Sequence, residues 1–225
     1  MRQRTLTLIA GIIGMLSFSI TTRAEAVSDR LNSATVVLKE IMSAPDKGIP
    51  QDLLDKAHCI VVVPGVKKAA FIVGGKYGRG FISCRHENRR WSSPAAMRME
   101  GGSVGWQIGA SETDVVLLVM NESGMHRLLQ SKFTLGASAD VAAGPVGRNA
   151  SAETDAKMTA QILSWSRSRG VFAGVSLNGA TLRDDIDENK ALYGKRLNNR
   201  QIITGKLHAP RTASEFIATL NRYSL

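Results

Sequence analysis

Beyond its first twenty residues the sequence has no apolar run long enough to cross a membrane, which takes ~20 residues as a helix. It has no internal repeat and no low-complexity linker, so a solenoid or a string of domains is excluded. Only two cysteines, Cys59 and Cys84, and four histidines occur in 225 residues. Neither Cys nor His shows the paired-ligand spacing of a zinc module. His58 and Cys59 are adjacent on a predicted strand and point to opposite faces, so His58, Cys59, Cys84 and His86 do not converge on one ion. Acidic residues are scarce as well, with 19 Asp and Glu against 29 Lys and Arg, a formal net charge of +10.

The one long apolar segment is N-terminal. Arg2 and Arg4 precede a stretch from Leu6 to Ile20 that is apolar apart from Thr7, Gly11, Gly14, Ser17 and Ser19, and Ala24-Glu25-Ala26 supplies a small-x-small site. This is the pattern of an export signal, 1–26, removed by signal peptidase. No cysteine stands near the site, so a lipid-modified N-terminus is not expected. Cleavage after Ala26 leaves 199 residues, enough for one domain with a full core. Losing Arg2, Arg4, Arg23 and Glu25 takes the net charge to +8. A periplasmic or secreted domain this basic is expected to meet anionic phospholipid or acidic glycans; nucleic acid fits the charge but not the address.

Val27, Leu31, Ala34, Val37, Leu38, Ile41 and Met42 recur on one helix face, and Pro45, Gly48 and Pro50 stop the helix. A short helix over Gln51 to Ala57 follows. Cys59 to Val63, Ala69 to Val73 and Phe81 to Cys84 are apolar runs bounded by Pro64-Gly65, Gly74-Gly75 and Gly78-Arg79-Gly80, the punctuation of three consecutive strands. In a simple meander the first and third are not neighbours, so buried free thiols are expected in preference to a Cys59–Cys84 disulfide. Further strands are predicted at Ala96 to Met99, Val104 to Ala110, Val115 to Met120, Leu135 to Ala143, Gln161 to Ser166 and Val171 to Leu177. Ser123 to Gln130, Asp185 to Leu192, Asn198 to Thr204 and Ala213 to Tyr223 are predicted helices. Together these describe a single α+β domain, 27–225, with a twisted, mostly antiparallel, curved or barrel-like sheet and helices at both ends.

Gly101-Gly102-Ser103-Val104-Gly105 has the spacing of a serine-hydrolase elbow, with Asp114 and His126 or His208 as notional partners. That elbow needs a strand before the serine and a helix after it. Here Trp106-Gln107-Ile108-Gly109 continues as strand, so a hairpin is expected and catalysis is not. Gly74 to Gly80 lacks the order of a phosphate loop and reads as a β-turn carrying Lys76 and Arg79. No cofactor is expected.

The basic residues are more suggestive. Lys67 and Lys68 are expected at one inter-strand turn, while Arg85, Arg89 and Arg90 precede Trp91, and Arg148 closes a Gly-Pro-Val-Gly turn. On a strand extended through Ser166, Leu163, Trp165, Arg167 and Arg169 share one face. Trp165 beside arginines suits a membrane interface; equally, Trp165 can be core and the arginines a solvated face. Val27 to Met42 carries balanced charge, so docking onto its own domain is expected over membrane attachment.

Trp91-Ser92-Ser93-Pro94, Gln107-Ile108-Gly109, Gly144-Pro145-Val146-Gly147-Arg148, Ser166-Arg167-Ser168-Arg169-Gly170 and Tyr193-Gly194 occur in an order that resembles the SYLF domain family, from about Ala34 to the C-terminus. The resemblance implies a domain that binds acidic phospholipids, with actin binding in one fungal branch. Here Trp165 stands where tyrosine is common, and no SH3 or FYVE domain is attached. The expected function is therefore non-catalytic binding of anionic phospholipid at a bacterial envelope by a peripheral protein. A protein-binding envelope adaptor is the alternative.

Overall fold

The structure, a computed structural model, describes residues 24–44, 48–70, 73–104, 109–147, 160–168, 170–205 and 207–224. Helix α1 (24–43) buries Val27, Leu31, Ala34, Val37, Leu38 and Ile41, the face that the apolar spacing predicts. Helix α2 (Gln51–Lys56) leads into β1 (Cys59–Ala70) and β2 (Val73–Cys84). Then come β3 (Ala95–Val104), β4 (Gly109–Val119), α3 (Glu122–Leu128), β5 (Lys132–Thr134) and β6 (Val141–Ala143). The chain ends with β7 (Ile162–Ser168), β8 (Val171–Gly174), β9 (Thr181–Asp184), α4 (Ile186–Tyr193), α5 (Asn199–Thr204) and α6 (Ser214–Tyr223).

The strands form one curled, half-barrel sheet in the order β5-β9-β3-β2-β1-β4-β7-β6, with β8 also on β7. All described pairings are antiparallel except β6 with β7. The centre of the sheet is covered on both sides, which is why residues 60–63 of β1 and 115–119 of β4 are unbroken aliphatic runs. One core packs Ile60, Val62, Phe81, Leu118, Leu163 and Trp165 against α1, Leu53 and Leu54 of α2, and Phe216 and Leu220 of α6. The other packs Val61, Val63, Met97, Leu117 and Ile162 against Leu128, Phe133, Ile202 and Ile203. Docking of α1 onto its own domain is thus observed.

Three expectations change. Pro64-Gly65 is not a turn between strands but a bulge inside β1, where the register with β2 shifts between Val62 and Lys67. Gly74 to Gly80 is likewise the interior of β2 rather than a β-turn. A Cβ at Gly80 would come within 2.1 Å of the Val62 carbonyl oxygen, so the glycine lets the bulged strand approach. The expected three strands are therefore one long hairpin, and Cys59 and Cys84 are direct partners on its open end. They form a disulfide, with Cα atoms 3.9 Å apart. The meander argument fails because it counted one bulged strand as two.

Further along, the predicted strand over Leu135 to Ala143 is interrupted and only β5 and β6 flank or enter it. Strand β9, which pairs with both β3 and β5, has no counterpart in the sequence reading. Helix α3 starts one residue before the predicted Ser123, and Asn121 caps it, its side chain accepting from Gly124 N–H at 2.8 Å.

Two charged clusters fasten α1. Glu188, 2 % exposed, receives Arg30 of α1 at 2.5 Å and Arg79 of β2 at 2.9 Å, and Arg79 Nε also lies 3.1 Å from Asp185. Arg167 of β7 pairs with Glu40 of α1 and, at 2.6 Å, with Asp114 of β4.

The disulfide closes a 25-residue separation, and loop-closure entropy puts its contribution at about 3 kcal/mol. Denaturant titration of the protein with and without reductant is expected to show a drop of about that size. A Cys59→Ala/Cys84→Ala variant should match the reduced protein and be insensitive to reductant.

Candidate functional surface

The basic residues that the sequence brings forward fall into three places. Lys67 and Lys68 lie on β1 past the bulge, near the closed end of the hairpin. Lys67 sits opposite Tyr77 on β2 and Glu112 on β4, and Lys68 sits opposite Lys76 and Ser111. Lys67 is exposed and Tyr77 is 44 % exposed, the only aromatic among the large exposed apolar residues described. Arg79 lies 5.9 Å from the Tyr77 ring, and its Nε donates to the Tyr77 hydroxyl at 2.7 Å. On the opposite face Lys68 and Lys76 border a cavity of about 320 Å³ with Val66, Ser111, Thr113 and Ser166.

Arg85, Arg89, Arg90 and Trp91 lie beyond the other end of β2, about 25 Å away along the strands at ~3.3 Å per residue. Arg85 stacks over the Trp91 ring at 4.5 Å and donates to the carbonyls of Arg89 at 3.0 Å and Leu54 at 3.3 Å. Burial, then the neighbouring Arg89 charge, lower its pKa, against a smaller opposing pull from Asp55. Arg89 holds a left-handed backbone, φ 63°, and both Arg89 and Arg90 are exposed. Trp91 is buried, its Nε1 donating to Ser224 Oγ at 2.8 Å.

Trp165 is fully buried, and its Nε1 donates to the Pro145 carbonyl at 3.0 Å. Of the two readings of this tryptophan the core one holds. A Cβ at Gly144 would sit 2.1 Å from the Trp165 ring, which explains a glycine in the Gly-Pro-Val-Gly segment. Arg167 is held by its two carboxylates and lies 5.3 Å from the Phe172 ring; burial lowers its pKa. Arg148 and Arg169 lie outside the described residues.

The other motifs also resolve into scaffolding. Trp91-Ser92-Ser93-Pro94 meets Tyr193-Gly194: the Tyr193 hydroxyl donates to the Pro94 carbonyl at 2.5 Å. Burial pushes the Tyr193 pKa up. Ser103 lies on β3 with Gly74 as its partner, and the next described element is strand β4, not a helix. Asp114 accepts from Gly65 N–H at 2.9 Å and pairs with Arg167, while His126 faces Glu122 on α3. No serine triad is assembled among the described residues, and the disulfide takes both thiols away from any zinc set. Sequence reasoning passed over Lys132, Arg183 and Arg200, and also Arg98, because each stands alone in the chain.

What the fold and surface define is a single α+β domain whose polar groups are structural in its interior and cationic at its rims. The sequence profile of the Ysc84 family, described as "Las17-binding protein actin regulator", matches residues 100–223. The chain is 35 % identical over 176 residues to SH3 domain-containing protein PJ696.02 of Schizosaccharomyces pombe, covering 77 % of this chain and 41 % of that protein. It is 31 % identical over 198 residues to SH3 domain-containing YSC84-like protein 1 of Xenopus laevis, covering 85 % and 59 %. Against Protein YSC84 of Saccharomyces cerevisiae it is 31 % identical over 178 residues, covering 78 % and 38 %. The chain belongs to the Ysc84 family, the SYLF-domain proteins that its motifs resemble. It spans about 40 to 60 % of the length of these relatives. The relatives are described as binding or SH3-containing proteins.

Replacing Trp165 with Ala removes a fully buried ring and its hydrogen bond to Pro145. The expected loss is about 3–5 kcal/mol in denaturant titration. A Gly144→Ala variant should be destabilised as well, because the added methyl group has only the Trp165 ring to meet.

Proposed function

We propose that this protein binds anionic phospholipid at a bacterial cell envelope, without catalysis, as an exported and peripherally attached domain. The observation that carries this reading is the closed end of the β1–β2 hairpin. There the exposed Lys67 lies opposite the exposed ring of Tyr77, while Lys68 and Lys76 are cross-strand partners on the other face. An aromatic with a polar tip among cations fits the head-group layer. Trp165 and Arg167 are turned inward, so the lysine end is the better attachment surface. The exposed Arg89 and Arg90 at the other end are a second point of electrostatic contact.

Two observations support export. The disulfide is at home in an oxidising compartment. Ala24, Glu25 and Ala26 are exposed, whereas Val27 is the first buried residue of those described, so a mature start at Val27 would keep every described core residue. Intact mass of protein recovered from the envelope or medium tests this: a mature start at Val27 or Glu25 is expected, and retention of Met1 to Ile20 on most of the protein would overturn it.

The alternative is an adaptor that holds a protein partner on its sheet surface. It is favoured by the names of relatives such as LAS seventeen-binding protein 3 of Saccharomyces cerevisiae, 32 % identical over 168 residues. Vesicle sedimentation separates the two. Binding is expected to rise with anionic lipid and to fall with salt, since screening acts over about 8 Å at physiological ionic strength. A Lys67→Gln/Lys68→Gln variant should bind about thirtyfold more weakly, at roughly 1 kcal/mol for each basic residue near the surface. Equal binding to neutral vesicles, or no change in the variant, would transfer the lead to the adaptor reading.

A further inference from the structure

A second cationic cluster lies on the flank of the sheet formed by β3, β9 and β5. Arg79 is the cross-strand partner of Arg98, Arg98 of Arg183, and Arg183 of Lys132. Directly opposed residues point to the same face, so four cations form one row across four strands. At about 4.8 Å per strand the row is about 15 Å long. Such a row is unfavourable by itself, and the molecule neutralises it unevenly. Arg79 is met by the buried Asp185 and Glu188. Arg98 and Arg183 share the single carboxylate of Glu100, at 3.3 and 3.2 Å. Neither Nε has a hydrogen-bond partner among the described residues, although both are shielded from water. Lys132 has no ion-pair partner among the described residues, and the same holds for Arg200 at the start of α5.

These residues surround one cavity of about 600 Å³, bordered by Arg98, Lys132, Arg183, Arg200, Asp184 and Asn198. That is within the ~300–1,000 Å³ typical of small-molecule sites. The only acid on its wall is Asp184, whose pKa burial raises while the Asn199 N–H partly offsets the effect. Asp184 Oδ1 is buried without a hydrogen-bond partner, and Oδ2 accepts from Asn199 N–H at 3.2 Å. The wall therefore carries four cations against one carboxylate. Two of the cations are guanidinium groups in register, and guanidinium forks match the oxygens of a phosphate.

We infer that this cavity is a binding site for a phosphate group borne by a small ligand, either a soluble phosphate ester or a phospholipid head group. It is separate from the lysine end of the β1–β2 hairpin and does not rest on the lipid reading. The phosphate takes the place of the missing carboxylates, with Arg98 and Arg183 gripping from the sheet and Lys132 and Arg200 closing from the rim.

The full chain is titrated with inorganic phosphate and with glycerol 3-phosphate at constant ionic strength, followed by calorimetry and by amide chemical shifts. Saturable binding that moves the amides around 98, 130–132, 183 and 198–200 is expected. Lys132→Gln/Arg200→Gln removes two exposed cations without an ion pair, so a folded protein is expected, and affinity should fall at least about tenfold. Arg183→Lys keeps the charge but loses the fork, and should also weaken binding. Lys190→Gln/Arg211→Gln, with both positions exposed outside the cavity, should have no effect. Absence of saturable binding, or equal binding by the first double variant and the parent, overturns the site. Vesicles of phosphatidylglycerol then identify the source. Weaker vesicle binding by Lys132→Gln/Arg200→Gln assigns the site to a head group, and unchanged vesicle binding with lost glycerol 3-phosphate binding assigns it to a soluble ester. Failure of the lipid reading alone would appear in the Lys67→Gln/Lys68→Gln variant and leave the phosphate titration intact.

Discussion

Two carboxylates, Asp185 and Glu188, are withdrawn almost completely from water, and arginines from distant parts of the chain meet them there. A buried charge without a partner is strongly destabilising, so this cluster constrains everything that touches it. Arg30 fixes the start of α1, Arg79 fixes the middle of β2, and both acids sit at the beginning of α4. Asp185 also caps α4, accepting from Glu188 N–H at 3.2 Å. The first and last thirds of the domain are thereby held in one register against the sheet. The neighbouring Asn189 continues the arrangement: its Oδ1 accepts from Ala96 N–H at 2.7 Å, and its Nδ2 donates to Leu197 and Asn199 oxygens. Substituting any of these polar groups would leave the others buried and unsatisfied.

The polar groups around Glu188 and Asn189 are thus taken up by the fold. The segments that carry the family resemblance are mostly parts of the scaffold. Gly144-Pro145 forms the bed of Trp165, and Pro94 accepts from Tyr193. Their order along the chain reports a shared fold. The cations that remain available are scattered in sequence and are gathered only by strand pairing, at the hairpin end around Lys67 and along the row from Arg98 to Lys132. At the hairpin end Lys67 has Tyr77 and Glu112 opposite it, and along the row Glu100 lies between Arg98 and Arg183.

Helices were legible because their signals are local. The spacing of Val27 to Ile41, Asp185 before α4, Gly194 after it, and Asn198 with Gln201 at α5 each require only a few neighbouring residues; the last is a complete capping box in the structure. The central aliphatic strands were legible for the same reason. Strand limits were not, because Pro64-Gly65 and the glycines of β2 read as turns when the partner strand is out of sight. At Gly78 and Gly80 an added Cβ would come within 2.1 to 2.8 Å of atoms of β1, a constraint visible only across the sheet. Strand β9, Thr181–Asp184, carries no strong local pattern and is a strand because β3 and β5 flank it.

The chain by itself determined an α+β domain, an amphipathic first helix, a basic balance and membership in a recognisable family, since composition and short-range periodicity survive without coordinates. Tertiary structure alone decided which cations share a surface. Arg98, Arg183 and Lys132 are far apart in sequence and adjacent in register, while Trp165 and Arg167 are two residues apart and one is core, the other an ion-pair anchor. It also decided the redox state of the cysteines. A one-residue bulge turns two apparent strands into one, and that brings Cys59 opposite Cys84. Pairing across a sheet is a long-range interaction, so no window along the sequence contains it.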